Sequence, residues 1–131
     1  MKRFLYLLAI LCFTNFHTSI AQSKVATLTY LKSIDGEKDN LKDFLKRNWF
    51  VMDSIAKQQN LIEHYALWEN PTSNQDWDLI VHVVYKDEKG YEGIANAFEK
   101  IRSTHKKILI NNKDLKQLGN IVKSETVLIH P

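Results

Sequence analysis

The stretch Leu79 to Tyr85, LIVHVVY, constrains this chain more than any other. Apart from one histidine it is a continuous run of apolar and β-branched residues, the right length for a strand and short for a helix. A run of that kind predicts a strand buried on both faces, and hence a central place in a sheet. It forms the second arm of a pair spanning Leu61 to Asp87, LIEHYALWEN and DWDLIVHVVYKD, joined by the turn-rich Pro71-Thr72-Ser73-Asn74-Gln75. His64 and His82 fall one on each arm.

The flanking segments supply what such a sheet needs. Lys24 to Ser33 alternates Val25, Thr27, Thr29 and Leu31 with Ala26, Leu28, Tyr30 and Lys32, and reads as a strand closed by Asp35-Gly36. From Glu37 to Gln59 the period changes: Leu41, Phe44, Leu45, Asn48, Met52 and Ile55 recur at three and four, with Trp49, Val51 and Ala56 widening the arc, which predicts one long amphipathic helix. A second helix is expected from Tyr91 to about Leu109, with Ile94, Phe98, Ile101, His105 and Ile108 inward. A short third helix is expected from Asp114 to about Val122, capped by Asn112, with Leu115, Leu118 and Ile121 inward. Glu125 to His130 alternates again and closes the domain as a strand.

The order β-α-β-β-α-(α)-β is that of a split βαβ unit, an α+β ferredoxin-like sandwich with helices on one face of an antiparallel sheet. Its first and third strands lie side by side at the centre. Glu63 and Glu69 on the first arm of the strand pair suit a charged edge strand.

Residues 1–21 stand apart. Lys2 and Arg3, the apolar FLYLLAILCF and the small-x-small Ser19-Ile20-Ala21 make the three parts of a Sec signal peptide, cleaved before Gln22. Its apolar part, about ten residues, is half of what a spanning helix needs, so no stable membrane insertion is expected after cleavage. The remaining 22–131 is expected to be a single domain of an exported, periplasmic or secreted protein. Lys2 and Arg3 are two of the 18 basic residues, which leaves 16 against 15 acidic ones and no electrostatic case for nucleic acid. The single cysteine, Cys12, lies in the leader, so no disulfide supports the fold.

Alternation separates the two faces of the sheet. Trp77, Leu79, Val81, Val83 and Tyr85 are expected under the helices. Pairing residue 69 with 77 puts Ile62, His64, Ala66, Trp68, Ile80, His82 and Val84 on the open face, with His64 directly opposite His82. That face is too apolar to stay wet, and a second copy of the same sheet is the economical cover. A homodimer is therefore expected.

With these elements the chain resembles the dimeric α/β-barrel superfamily, which includes antibiotic-biosynthesis-type monooxygenases, haem-degrading monooxygenases and stress-responsive barrel proteins. The resemblance covers residues 24–131 and rests on element order and strand character, without a diagnostic motif. It implies two protomers packed sheet to sheet around a lumen that takes a small apolar or aromatic ligand.

The expected ligand-binding residues are Tyr30, His64, Trp68, Ile80 and His82. His64 and His82 are also the candidate catalytic residues, since an imidazole in an apolar lumen stays neutral and can act as a general base. A cofactor-independent monooxygenase-like enzyme is the alternative this supports. A protein-interaction module presenting Trp49 and Phe50 is a third reading. A metal held by His64 and His82 would need a further ligand that the neighbouring strands do not supply, so no metal is assigned. His105 invites comparison with the axial histidine of haem-degrading relatives, but it carries no matching motif and suits a packing residue, so no cofactor is assigned. Phosphate loops, cysteine pairs, Ser-His-Asp order and helical His-x-x-x-His are absent from the sequence.

Overall fold

The computed structural model describes residues 22–72 and 74–131; the segment read as a signal peptide lies outside the described residues. The chain forms β1 (Lys24–Ser33), α1 (Lys38–Arg47), α2 (Trp49–Gln58), β2 (Ile62–Glu69), β3 (Leu79–Tyr85), α3 (Tyr91–Thr104), α4 (Leu115–Leu118) and β4 (Gly119–Ile129). The strands make one antiparallel sheet in the order β2-β3-β1-β4. That is the ferredoxin-like arrangement, with β1 and β3 central and β2, carrying Glu63 and Glu69, at an edge.

The helices bury one face of the sheet in two clusters. Leu31, Leu79 and Val81 meet Leu41, Phe44 and Leu45 of α1 and Leu118 of α4. At the other end of the strands, Val25 and Tyr85 meet Ala56 of α2 and Ile94, Phe98 and Ile101 of α3. Leu31, Leu41, Leu45, Leu79 and Leu118 are completely buried. Each contributes about 1.5–3 kcal/mol of apolar burial, which suits a domain without cross-links.

The expected single helix from Glu37 to Gln59 is two helices broken at Asn48. Its side chain is buried and donates to the Phe44 carbonyl at 3.0 Å and the Ile108 carbonyl at 2.9 Å. Its amide oxygen accepts from the Ile108 N–H at 2.8 Å and lies 3.0 Å from His105 Nε2. The amide thus serves the chain that leaves α3. Both helices turn their apolar side to the sheet, so the period survives a break that periodicity cannot reveal.

The same contact ends α3 at Thr104, five residues before the expected Leu109. His105 is extended and Ile108 is exposed, so neither lies on an inward helix face. The third helix is one turn, capped by Asp114 in a capping box with Gln117. Asn112 has a φ of 62° and belongs to the preceding turn. At Gly119 a Cβ would stand 2.7 Å from both Leu41 Cδ2 and the Lys32 carbonyl oxygen, so only glycine lets the chain start β4 there. β4 therefore begins six residues before the expected Glu125 and pairs with β1 along its whole length, leaving Ile121 exposed.

The connection between β2 and β3 is longer than expected. Glu69 pairs with Leu79, and the Asn70 N–H donates to the Asp78 carbonyl at 2.8 Å. Asp78 is held from β1, by the Ser33 hydroxyl at 2.6 Å, the Ser33 N–H at 2.9 Å and Lys32 Nζ at 3.0 Å. The resulting slip of two residues keeps the strand's faces but moves its pairs: His64 opposes Val84, and His82 opposes Ala66. A bulge between Ile62 and His64 turns Ile62 into the core under the helices, not onto the open face. Trp77, expected under the helices, packs edge-on against Tyr30 on the other side.

Candidate functional site

On the open face, Tyr30, Ile80, His82 and Trp68 come together as expected, beside Leu28, Ala66 and Val84. Trp68 stacks obliquely on His82 with ring centroids 4.8 Å apart and is 47% exposed. The His64 and His82 rings lie 6.0 Å apart, edge to face across a diagonal rather than directly opposed. His82 Nδ1 is buried without a hydrogen-bond partner. Desolvation, and then the neighbouring His64 charge, lowers the His82 pKa, so the ring stays neutral at neutral pH. The β4 side of this face is charged instead: Lys123 pairs with Glu125 at 2.8 Å and lies 4.4 Å from the centre of the Tyr30 ring. Among the described residues no cluster of three or more His, Cys, Asp or Glu side chains could hold a metal ion.

The helix-covered face holds a cleft that strand alternation does not mark. The helix-facing row of β1 runs Val25, Thr27, Thr29, Leu31, apolar at its ends and hydroxylic in the middle. The two core clusters take the ends. Over the middle lies a cleft of about 490 Å³ whose floor adds Ser124 and Thr126 of β4 and Val81 and Val83 of β3. Thr29 and Ser124 face each other with hydroxyl oxygens 3.2 Å apart. β4 is exposed along almost its entire length, so the cleft is open on that side.

Its wall comes from one stripe on each of two helices. Trp49, Met52 and Asp53 of α2 line it, spaced so that all three share the sheet-facing side with Ala56. Tyr91, Phe98 and Arg102 of α3 complete it. Tyr85, Tyr91 and Phe98 form a chain of edge-to-face rings with centroids 6.4 and 5.8 Å apart. Arg102 sits at the rim, its guanidinium 5.6 Å from the Phe98 ring centre, hydrogen-bonded to the Tyr91 hydroxyl at 3.2 Å and to Glu99 at 2.8 Å.

Asp53 is the unusual member. It is 6% exposed, and burial raises its pKa to about 7, with no hydrogen bond or neighbouring cation among the described residues to offset the effect. Burial also raises the Tyr85 pKa; a hydrogen bond from Thr27 opposes this, and the Asp53 charge adds to it. A carboxyl, a phenol and a row of hydroxyls therefore converge in an otherwise apolar cleft. Such a carboxyl can hold a proton at slightly acidic pH and pair with a cation or hydrogen-bond donor above it.

No protein-family model matches the sequence, and no curated protein matches it significantly. Among solved structures, a dimeric protein of unknown function with a ferredoxin-like fold from Bacteroides fragilis is similar at a TM-score of 0.47 and 10% identity, covering 82% of this chain and 95% of that one. A DABB-family protein with a ferredoxin-like fold from Mesorhizobium loti is similar at a TM-score of 0.47 and 9% identity, covering 84% and 98%.

None of Tyr30, His64, Trp68, Ile80 or His82 lines the cleft. Phe50, proposed for a partner surface, packs on Tyr65 with ring centroids 5.2 Å apart, and Trp49 lines the cleft. The signal that locates Asp53 is its position four residues after Trp49 and three before Ala56, a carboxylate inside an apolar stripe. Among the described residues no helix is long and apolar enough to cross a membrane.

Proposed function

We propose that this protein is an exported ferredoxin-like domain that binds a small, largely apolar or aromatic molecule in the cleft between its helices and its sheet, and that it works as a homodimer closed through the opposite face. The observation that carries the ligand reading is the cleft itself: about 490 Å³, walled by aromatic rings, with a few polar groups converging on it. That volume and composition are those of small-molecule sites, which run from about 300 to 1,000 Å³. The support for the dimer is Trp68, nearly half exposed on the open face beside the half-buried Tyr30 and Leu28, aromatic and aliphatic surface that a second copy would cover.

Native mass spectrometry of protein purified from its own compartment tests both parts. The expected result is a dimer with a retained small molecule, starting at Gln22. Thr29→Trp, which fills the cleft floor, should lose the molecule and keep the dimer; Trp68→Lys should do the reverse. A ligand that survives Thr29→Trp would remove the cleft from consideration. In the enzyme reading, His64 or His82 acts as base toward a substrate in the dimer lumen, supported by the neutral, unpartnered His82 ring. Oxygen uptake over quinol-like substrates, unchanged in His64→Ala and His82→Ala, would count against it.

A further inference from the structure

We infer that the cleft selects a ligand carrying a protonated amine on an aromatic or branched apolar body, with the ammonium group placed against Asp53. This rests on the cleft being a ligand site.

The argument starts from what any occupant does to Asp53. The side chain is more than nine-tenths buried, faces the cleft and, among the described residues, has neither a hydrogen-bond partner nor a paired cation. Its remaining hydration comes through the cleft. A neutral apolar molecule that filled the space would strip that hydration and leave an unpaired carboxylate or force it to take up a proton, and both cost free energy. A primary or secondary ammonium group brings the opposite charge and the missing donors together.

The surroundings suit the same group. Tyr85, Tyr91 and Phe98 present aromatic surface beside the carboxyl, and rings of this kind attract a cation within about 6 Å of their centres. Thr27, next to the Tyr85 hydroxyl, offers an oxygen to a further N–H. Among the described residues that line the site the cation is Arg102, which lies at the rim and is already paired with Glu99, so it does not stand in for the amine at Asp53. Its guanidinium is also held at the rim by its hydrogen bond to the Tyr91 hydroxyl.

The test compares two probes of equal size, 2-phenylethylamine and 2-phenylethanol, titrated at pH 8 into the wild-type protein and Asp53→Asn. The readouts are calorimetry and the NMR signals of the Trp49 indole and the Met52 methyl group. Wild type should bind the amine at least tenfold more tightly than the alcohol, with both probes moving the Trp49 and Met52 signals. Asp53→Asn should bind the amine more weakly than wild type does and the alcohol at least as tightly, and so lose the preference. Equal affinity of wild type for both probes would overturn the amine inference while leaving the cleft as a ligand site. If neither probe moves Trp49 or Met52, the ligand reading and this inference fall together. A preference that persists in Asp53→Asn would assign the cation to another group and also overturn the inference.

Discussion

In the middle of β1, Thr27 and Thr29 point under the helices while Leu28 and Tyr30 point to the open face. β4 adds Ser124 and Thr126 to the covered side, with Lys123 and Glu125 on its open side. Elsewhere in the sheet the covered side is apolar, as Leu31, Leu79 and Val81 are. The inversion leaves each face with a different deficit. The covered face encloses polar groups that need water or a ligand, and the open face carries aromatic surface that needs a partner. On each face desolvation shifts a titratable group, Asp53 beside Tyr85 on the covered side and His82 on the open side. The effects of Asp53 and His82 on stability have opposite signs, which gives a direct way to test the comparison.

The largest expected effect belongs to Asp53. Its folded pKa of about 7 lies above the ordinary 3.8, so the folded state holds a proton that the unfolded chain has lost. The stability this represents is complete below pH 3.8 and disappears as pH rises through 7. At about 1.36 kcal/mol per unit, the loss is on the order of 4 kcal/mol. Asp53→Asn should lack this slope and be the more stable protein at pH 8. Urea denaturation of both proteins from pH 4 to 8 measures the difference, and parallel curves would mean that Asp53 is not desolvated in the cleft.

A comparison along β1 comes next. Leu31→Ala opens a cavity in the filled end of the helix layer and should cost about 2–5 kcal/mol. Thr29→Val, two residues away on the same face, exchanges a cleft hydroxyl for a methyl group and should change stability by less than about 1 kcal/mol. Similar costs at the two positions, read from denaturant midpoints, would show that the cleft is packed rather than open. Asn48→Ala should fall between them, at about 1–3 kcal/mol, because it leaves the Ile108 N–H and carbonyl without their partner, while the Phe44 carbonyl keeps the Asn48 N–H.

The sequence made β1 and β3, the sheet order and the covered side of β3 legible because each depends on local alternation and burial pattern. What it concealed depends on contacts distant in the chain. The break at Asn48 is made with Ile108, and the two-residue slip of β2 against β3 follows from Asp78 being held by Ser33 and Lys32. Neither partner is implied by spacing. Asp53 escaped notice for a different reason: one carboxylate in an apolar helical stripe is outvoted by Trp49, Met52 and Ala56 when periodicity is read as a whole. The five residues expected at the site share a face that no helix covers, and strand alternation carries no mark of a cleft formed beneath helices.

The smallest expected effect is that of His82, and it runs the other way. Desolvation, then the charge of His64, keeps its folded pKa below the ordinary 6.5, so on acidification the unfolded chain takes up a proton that the folded protein resists. The stability involved is complete above pH 6.5 and is lost as pH falls through the folded value. His64 is the charge facing the ring across the diagonal, while Trp68 covers one side of it. His82→Gln should therefore lose less stability than wild type between pH 7 and pH 5, whereas Asp53→Asn should lose the wild-type gain over that same interval. Urea midpoints at matched protein concentration separate the two, since a dimer closed over His82 would deepen its desolvation and steepen the acid loss as concentration rises. A wild-type acid slope unchanged by His82→Gln would assign that slope to other groups and remove the contrast between the two faces.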